Sequence, residues 1–140
     1  MKVVVNRCYG GFGLSDKAIE IVMKRKGLGC FRYKQTKYKH RDGVNEYTRC
    51  KIFGKDDFIF AYYQTVDLGE KINKMPMETN WYYGNLERDD VDLVAVVEEL
   101  GGEANGKFAE LEVVDIPDDV NWDIDNYDGI ETIHEAHRSW

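Results

Sequence analysis

Two prolines and three cysteines in 140 residues leave little to stiffen or staple this chain. Cys8, Cys30 and Cys50 are odd in number and about twenty residues apart, so no close pair suggests a zinc knuckle or a redox dithiol. That usage fits a reducing cytosol. Long apolar runs are also missing: the longest, residues 58–63 and 91–97, fall far short of the roughly 20 residues that cross a bilayer as a helix. The opening Met1-Lys2 leads into only three valines before Asn6 and Arg7, which disfavours a secretory signal and places the chain in the cytosol. Repeats, linkers and low-complexity segments are absent. So are a nucleophile elbow, a kinase signature and a C-x-x-C, and nothing in the sequence asks for a cofactor.

With 43% apolar and 13% aromatic residues, the chain can build a core despite a mean hydropathy of -0.55. Its length is that of a single domain. The net charge of -7 conceals an asymmetry: residues 1–60 hold 14 Lys/Arg against 6 Asp/Glu, and residues 61–140 hold 5 against 20. Either the halves neutralise each other, or an acidic face is offered to a basic partner.

The pattern along the chain predicts one α+β domain, a largely antiparallel sheet with two main helices packed on it and a short C-terminal helix. The β-branched run KVVVN reads as a buried strand ended by CYGGFG. Ser15 then caps a helix over residues 16–26, with apolar Ile19, Val22 and Met23 at helical spacing. Residues 31–49 are basic and tyrosine-bearing, with a turn signal at Asp42-Gly43, and suit a hairpin or long loop. Strands over 51–53 and 58–66 would form a hairpin through residues 54–57. Residues 71–87, with Pro76 and Gly84, read as a surface connection.

A second helix over 90–100 is the clearest element, capped by Asp89 or Asp90 and stopped by Gly101-Gly102. Residues 109–116 alternate apolar with acidic side chains, as a strand with one wet face does. The chain should close with an extended piece, a turn at Asp128-Gly129 and a short helix through His134 and His137. The expected core includes Val3, Val5, Ile19, Val22, Leu93, Val97, Leu111 and Val113.

Strand, glycine-rich turn and capped helix together have the order of a phosphate-binding corner, since glycines admit an anion to the backbone and helix N-terminal amides face it. The spacing G-G-x-G matches neither a dinucleotide fingerprint nor a P-loop, and a plain strand-to-helix corner explains the same glycines. His134 and His137 are three apart, but H-E-x-H is not a metalloprotease pattern and no third ligand stands out, so no metal is expected. The segment 31–41, FRYKQTKYKHR, interleaves basic residues with Tyr33 and Tyr38 as a nucleic-acid surface would. The alternative is a basic strand face that meets the acidic half, and direct nucleic-acid binding is disfavoured.

The opening VVVNRCYGGFGLS, the stretch RDDVDLVAVVEELGGEANGKFAELEVVDIPDDV and the closing YDGIETIHEAHRSW resemble a widespread group of small proteins encoded by bacteriophages and prophages. The resemblance departs mainly across residues 30–80 and brings no catalytic residues with it. It implies action in a host bacterial cytosol, as a non-catalytic counter-defence binder that inhibits a host immune component or captures a nucleotide signal. The candidate partners are a host bacterial protein or a small anionic, nucleotide-like ligand, with a second copy of the chain also admissible and no membrane.

Two further readings stand beside it. One is a hydrolase or transferase acting on a phosphorylated or nucleotide substrate at the glycine turn. The other is an acidic mimic of DNA, carried by residues 87–131. The expected ligand surface joins the two ends of the chain: Arg7, Tyr9, Gly10, Gly11, Gly13 and Ser15 with His134, His137 and Arg138. Trp140 would pack against the bare glycine backbone; the purely structural version has Trp140 closing the core and the arginines pairing with nearby acids.

Overall fold

A computed structural model describes residues 1–37, 45–53 and 61–135. In chain order it holds strand β1 (Lys2–Asn6), helix α1 (Asp16–Arg25), strands β2 (Phe31–Lys37), β3 (Glu46–Cys50), β4 (Ala61–Gln64), β5 (Lys71–Ile72) and β6 (Asn80–Trp81), helix α2 (Val91–Leu100), and strands β7 (Leu111–Asp115), β8 (Trp122–Tyr127) and β9 (Ile130–Glu135). The protein is α+β as expected, and the strand pairs are antiparallel. The strands are distributed over three sheets, β1–β7, β5–β3–β2–β4–β6 and β8–β9. The chain packs as two compact units, residues 1–22 with 83–140, and residues 23–82.

In the first unit, β1 runs against β7 in the register Lys2↔Asp115 to Asn6↔Leu111. Val3, Val4, Val5 and Asn6 are completely buried, so this β-branched run is covered on both faces rather than one. Helix α2 lies against β1 and β7. Asp90 is its N-cap: Oδ1 accepts hydrogen bonds from the amides of Asp92 and Leu93, each at 3.0 Å. Gly101 ends it with a positive φ of 57°, which favours glycine, and its amide donates to the Val97 carbonyl. Leu93, Val94, Val96 and Val97 form the buried face, each contributing about 1.5–3 kcal/mol. Of the expected core, Val3, Val5, Ile19, Val22, Leu93 and Val97 are buried. Leu111 and Val113 are half-buried, on a strand whose Glu112 and Asp115 face solvent.

The end of the described chain departs from expectation. His134 lies on a strand, not a helix: β8 and β9 form a hairpin registered Trp122↔Glu135 to Tyr127↔Ile130. Its two-residue loop is Asp128-Gly129, with φ 49° and 96°, the left-handed pair that suits strand twist, and the Gly129 amide donates to Asn126 Oδ1. Ile130, Thr132 and Ile133 favour a strand, and their tertiary pairing outweighs the helical spacing of the histidines. His137, Arg138 and Trp140 lie outside the described residues.

The second unit is built on the five-stranded sheet, with β2 at its centre and two-residue β5 and β6 at its edges. Residues 71–87 are thus more than a surface connection, since they supply both edge strands. Among the described residues the expected hairpin between 51–53 and 58–66 is not seen: residues 51–53 are irregular, and β4 pairs with β2 and β6. Residues 54–60, and with them the proposed turn, lie outside the described residues, as does Asp42-Gly43. Tyr33, Tyr47 and Met75 form the core, with Phe31, Tyr62, Leu68 and Ile72 packed on it.

Strand alternation also separates the basic and aromatic residues of β2. Phe31 and Tyr33 share one face and Arg32 and Lys34 the other, and Tyr33 is completely buried. Tyr33 is therefore core rather than a base-stacking platform, while Tyr38 lies outside the described residues.

Candidate functional site

The glycine-rich turn is a packing device for backbone against backbone. A Cβ on Gly10 would overlap the carbonyl and Cβ of Phe108, and one on Gly129 would stand 2.5 Å from the Gly11 nitrogen and 2.6 Å from the Tyr9 carbonyl oxygen. Gly106 packs on Gly13 in the same way, since a Cβ on Gly106 would stand 2.8 Å from the Gly13 carbonyl carbon, and its amide donates to the Gly13 carbonyl at 2.9 Å. Gly11 has φ 101°, which only glycine adopts readily. Ser15 is a cap, as its position before α1 suggested: Oγ accepts from the Ala18 amide at 3.1 Å and donates to the Glu103 carbonyl at 2.6 Å.

Beside this turn lies a charged network built on Glu131, which is 3% exposed. The Arg88 guanidinium grips its carboxylate with two prongs, Nη1 to Oε1 at 2.5 Å and Nη2 to Oε2 at 2.8 Å. Oε1 also accepts the Asn6 amide at 2.7 Å. Arg88 stacks over the Phe12 ring, 3.8 Å from its centroid.

The network has a structural cause. The Val4 and Asn6 amides face away from β7; the Arg88 carbonyl takes the first at 2.8 Å and the Glu131 carboxylate takes the second. The open edge of β1 is thereby satisfied without another strand. Asn6, completely buried, completes it: Nδ2 donates to the Cys8 and Gly129 carbonyls and Oδ1 accepts the Glu110 amide.

The structure brings part of the expected surface together. Arg7 reaches across with Nε to Glu112 Oε2 at 2.8 Å and Nη1 to the Glu131 carbonyl at 2.9 Å, so its guanidinium joins β1, β7 and β9. Tyr9, Gly10 and Gly11 meet the β8–β9 loop through Gly129. His134 alternates with Glu131 along β9 and so lies on the opposite face of the hairpin, with Nδ1 3.3 Å from Asp125 Oδ2 and 42% of its side chain exposed. His137 and Arg138 lie outside the described residues, and with them any pairing of Arg138 with a nearby acid. Among the described residues, no group of three or more His, Cys, Asp or Glu could hold a metal ion.

Asn6, Arg88 and Glu131 carry this region, and the sequence pattern assigns none of them to it. The signal for Glu131 was Asp128-Gly129 between two β-rich runs, which makes a hairpin and sets Glu131 opposite Asn126. Arg88, preceding α2 by three residues, gave no comparable sign.

The second unit has its own polar centre. The Tyr33 hydroxyl donates to the Gly69 carbonyl at 2.7 Å and accepts the Leu68 amide at 2.9 Å, pinning the loop before β5. Burial pushes this phenol above its ordinary range. Asp67 accepts the Gly69 amide at 3.0 Å and pairs with Arg49 at 2.5 Å; those two partners hold its carboxyl below the usual value. A groove of about 390 Å³ brings Cys30 and Cys50 into one lining with Arg32, Arg49 and Lys51, and Arg32 Nη1 is tied to the Lys51 carbonyl at 3.0 Å.

Charge divides along the same boundary as packing. The first unit has 6 Lys/Arg and 19 Asp/Glu, a net of -13, and the second has 13 and 7, a net of +6. Fourteen of the nineteen acidic residues are exposed. No helix among the described residues is long and apolar enough to cross a membrane. Comparison with models of known protein families, with curated proteins and with solved structures finds no match.

Proposed function

We propose that this protein is a non-catalytic binding protein, which uses its acidic unit to occupy a basic, nucleic-acid-binding surface of a host bacterial protein. The setting is the counter-defence role that the resemblance to phage-encoded proteins implies. The observation that supports it is the concentration of 14 exposed carboxylates on a unit of net charge -13. A surface of that density presents fixed negative charge where a basic groove expects phosphates, and it raises the rate of encounter with such a groove. The rival reading, chemistry or nucleotide capture at the glycine turn, draws less support. Arg7 already bridges Glu112 and the Glu131 carbonyl, and Ser15 is engaged with the Glu103 carbonyl.

The test is retention of bacterial lysate proteins on the immobilised full chain across a salt series, with duplex DNA as competitor. The expected result is a small set of nucleic-acid-binding proteins that DNA displaces and that high salt releases. Retention indifferent to both salt and DNA would overturn the reading.

A further inference from the structure

We infer that the acidic unit docks its basic protein partner through an aromatic patch formed by Tyr9, Phe108 and Tyr127 around the glycine turn. The inference rests on the binding role proposed above and says where on that unit the contact is centred.

Three large rings stand in solvent here, at 70%, 57% and 73% exposure. They come from distant parts of the chain, and glycine contacts bring the backbone segments that carry them side by side. Gly10 packs on the backbone of Phe108 and Gly129 packs on the backbone of Tyr9 to Gly11, so the turn carrying Tyr9 lies between the two other ring-bearing segments. Cys8 Sγ also reaches the Phe108 carbonyl at 2.9 Å, which fixes that segment from below the turn. Tyr127 closes the β8 strand opposite Ile130, one residue before the hairpin loop.

The backbone beneath these rings is thus closely packed while the rings themselves face water. Exposed tyrosines on a closely packed backbone lose little conformational freedom on binding and supply the large, amphipathic contacts that dominate interface energies.

Charge selects the occupant. Glu110 and Asp128, both exposed, flank Phe108 and Tyr127 in sequence, within a unit of net charge -13. Aromatic faces among carboxylates favour guanidinium and ammonium groups, through cation–π attraction backed by ion pairing. One such contact exists within the chain, where Lys107 Nζ sits 5.5 Å from the centroid of the Phe108 ring. An arginine-rich protein surface would make the same contact three times over.

The experiment titrates the isotope-labelled full chain with a synthetic arginine–glycine repeat peptide as probe, at low salt, and repeats it with Tyr9→Ser/Tyr127→Ser and with each single change. Both side chains are mostly exposed, so the variants should keep the wild-type melting temperature within a few degrees. The expected result is amide shifts centred on residues 8–11, 107–109 and 126–129 in the wild type, and a binding constant weakened at least fivefold in the double variant. Equal affinity of wild type and double variant, or shifts centred elsewhere on the acidic unit, would overturn the patch while leaving the acidic binding role intact. No binding by the wild type at low salt would overturn the binding role itself. A wild-type dimer in sedimentation that the double variant converts to monomer would assign the patch to a second copy of the chain instead.

Discussion

The two units hold a polar centre in different ways. In the acidic unit the centre is ionic, a carboxylate gripped by Arg88 and the Asn6 amide. In the basic unit it is a neutral phenol, Tyr33, threaded between two backbone groups. The contrast teaches how each tolerates loss. An ion pair out of water is strongly sensitive to removal of one partner, because the other is left charged and dry. A hydroxyl that disappears leaves only unpaired dipoles.

The largest effect should follow Glu131→Ala. It strands Arg88, 22% exposed at its side chain, and orphans the Asn6 amide, at a cost of about 3–5 kcal/mol in urea unfolding. Hydrogen exchange should rise first in β1 and β7. A loss below about 1 kcal/mol would mean that the network is incidental to stability.

Glycine substitutions test the same region through shape. Gly10→Ala meets the Phe108 backbone, and Gly129→Ala adds a strained φ of 96° to its clash with Tyr9 and Gly11, so each should cost roughly 1–3 kcal/mol. Gly102→Ala, with open space around it, should be within about 0.5 kcal/mol of wild type. If all three behave alike in thermal melts, close backbone approach is not what those glycines serve.

In the basic unit, Tyr33→Phe removes the hydroxyl and leaves the Leu68 amide and Gly69 carbonyl without it, for a loss of about 1–3 kcal/mol. Exchange should quicken at residues 67–69 and barely change in β1. Equal exchange changes in both units would break the comparison, by showing that the two polar centres report one shared unfolding event.

Much of the fold was legible because local chemistry agreed with tertiary structure. Asp90 before an apolar helical stripe and Gly101 after it fix α2, and Ser15 fixes the start of α1. The core valines of β1 announced themselves by β-branching alone. What was illegible depended on distance along the chain. That Glu131 closes the edge of β1, 125 residues away from Asn6, is visible in no window of sequence. His134 and His137 sit at helical spacing, yet the segment carrying His134 belongs to a hairpin whose partner strand decides its form. The glycine turn is the strand-to-helix corner its sequence suggests, but what packs beside it, Phe108 and Gly129, is remote in sequence and so not legible there.

The smallest effect is a pH dependence in the basic unit. Asp67 accepts the Gly69 amide and then the Arg49 guanidinium, which hold its carboxyl below the ordinary value of 3.8. A carboxyl whose folded pKa is depressed adds stability that is present above its unfolded pKa and is lost as pH falls through the folded one. Because Asp67 is 48% exposed and Arg49 38%, solvent screens the pair and the effect on unfolding is slight.

Tyr33 gives the opposite limb. Burial raises its phenol above 10, so its contribution is present below that pH and is lost as pH rises through the raised value. The basic unit should therefore loosen at both extremes around residues 67–69. Carboxyl NMR of Asp67 should give a midpoint under 3.8, moving back toward it in Arg49→Gln but not fully, since the Gly69 amide is the larger cause. Complete restoration in that variant would make the ion pair, rather than the turn it closes, the source of the shift, and a wild-type midpoint at or above 3.8 would remove the acid limb altogether.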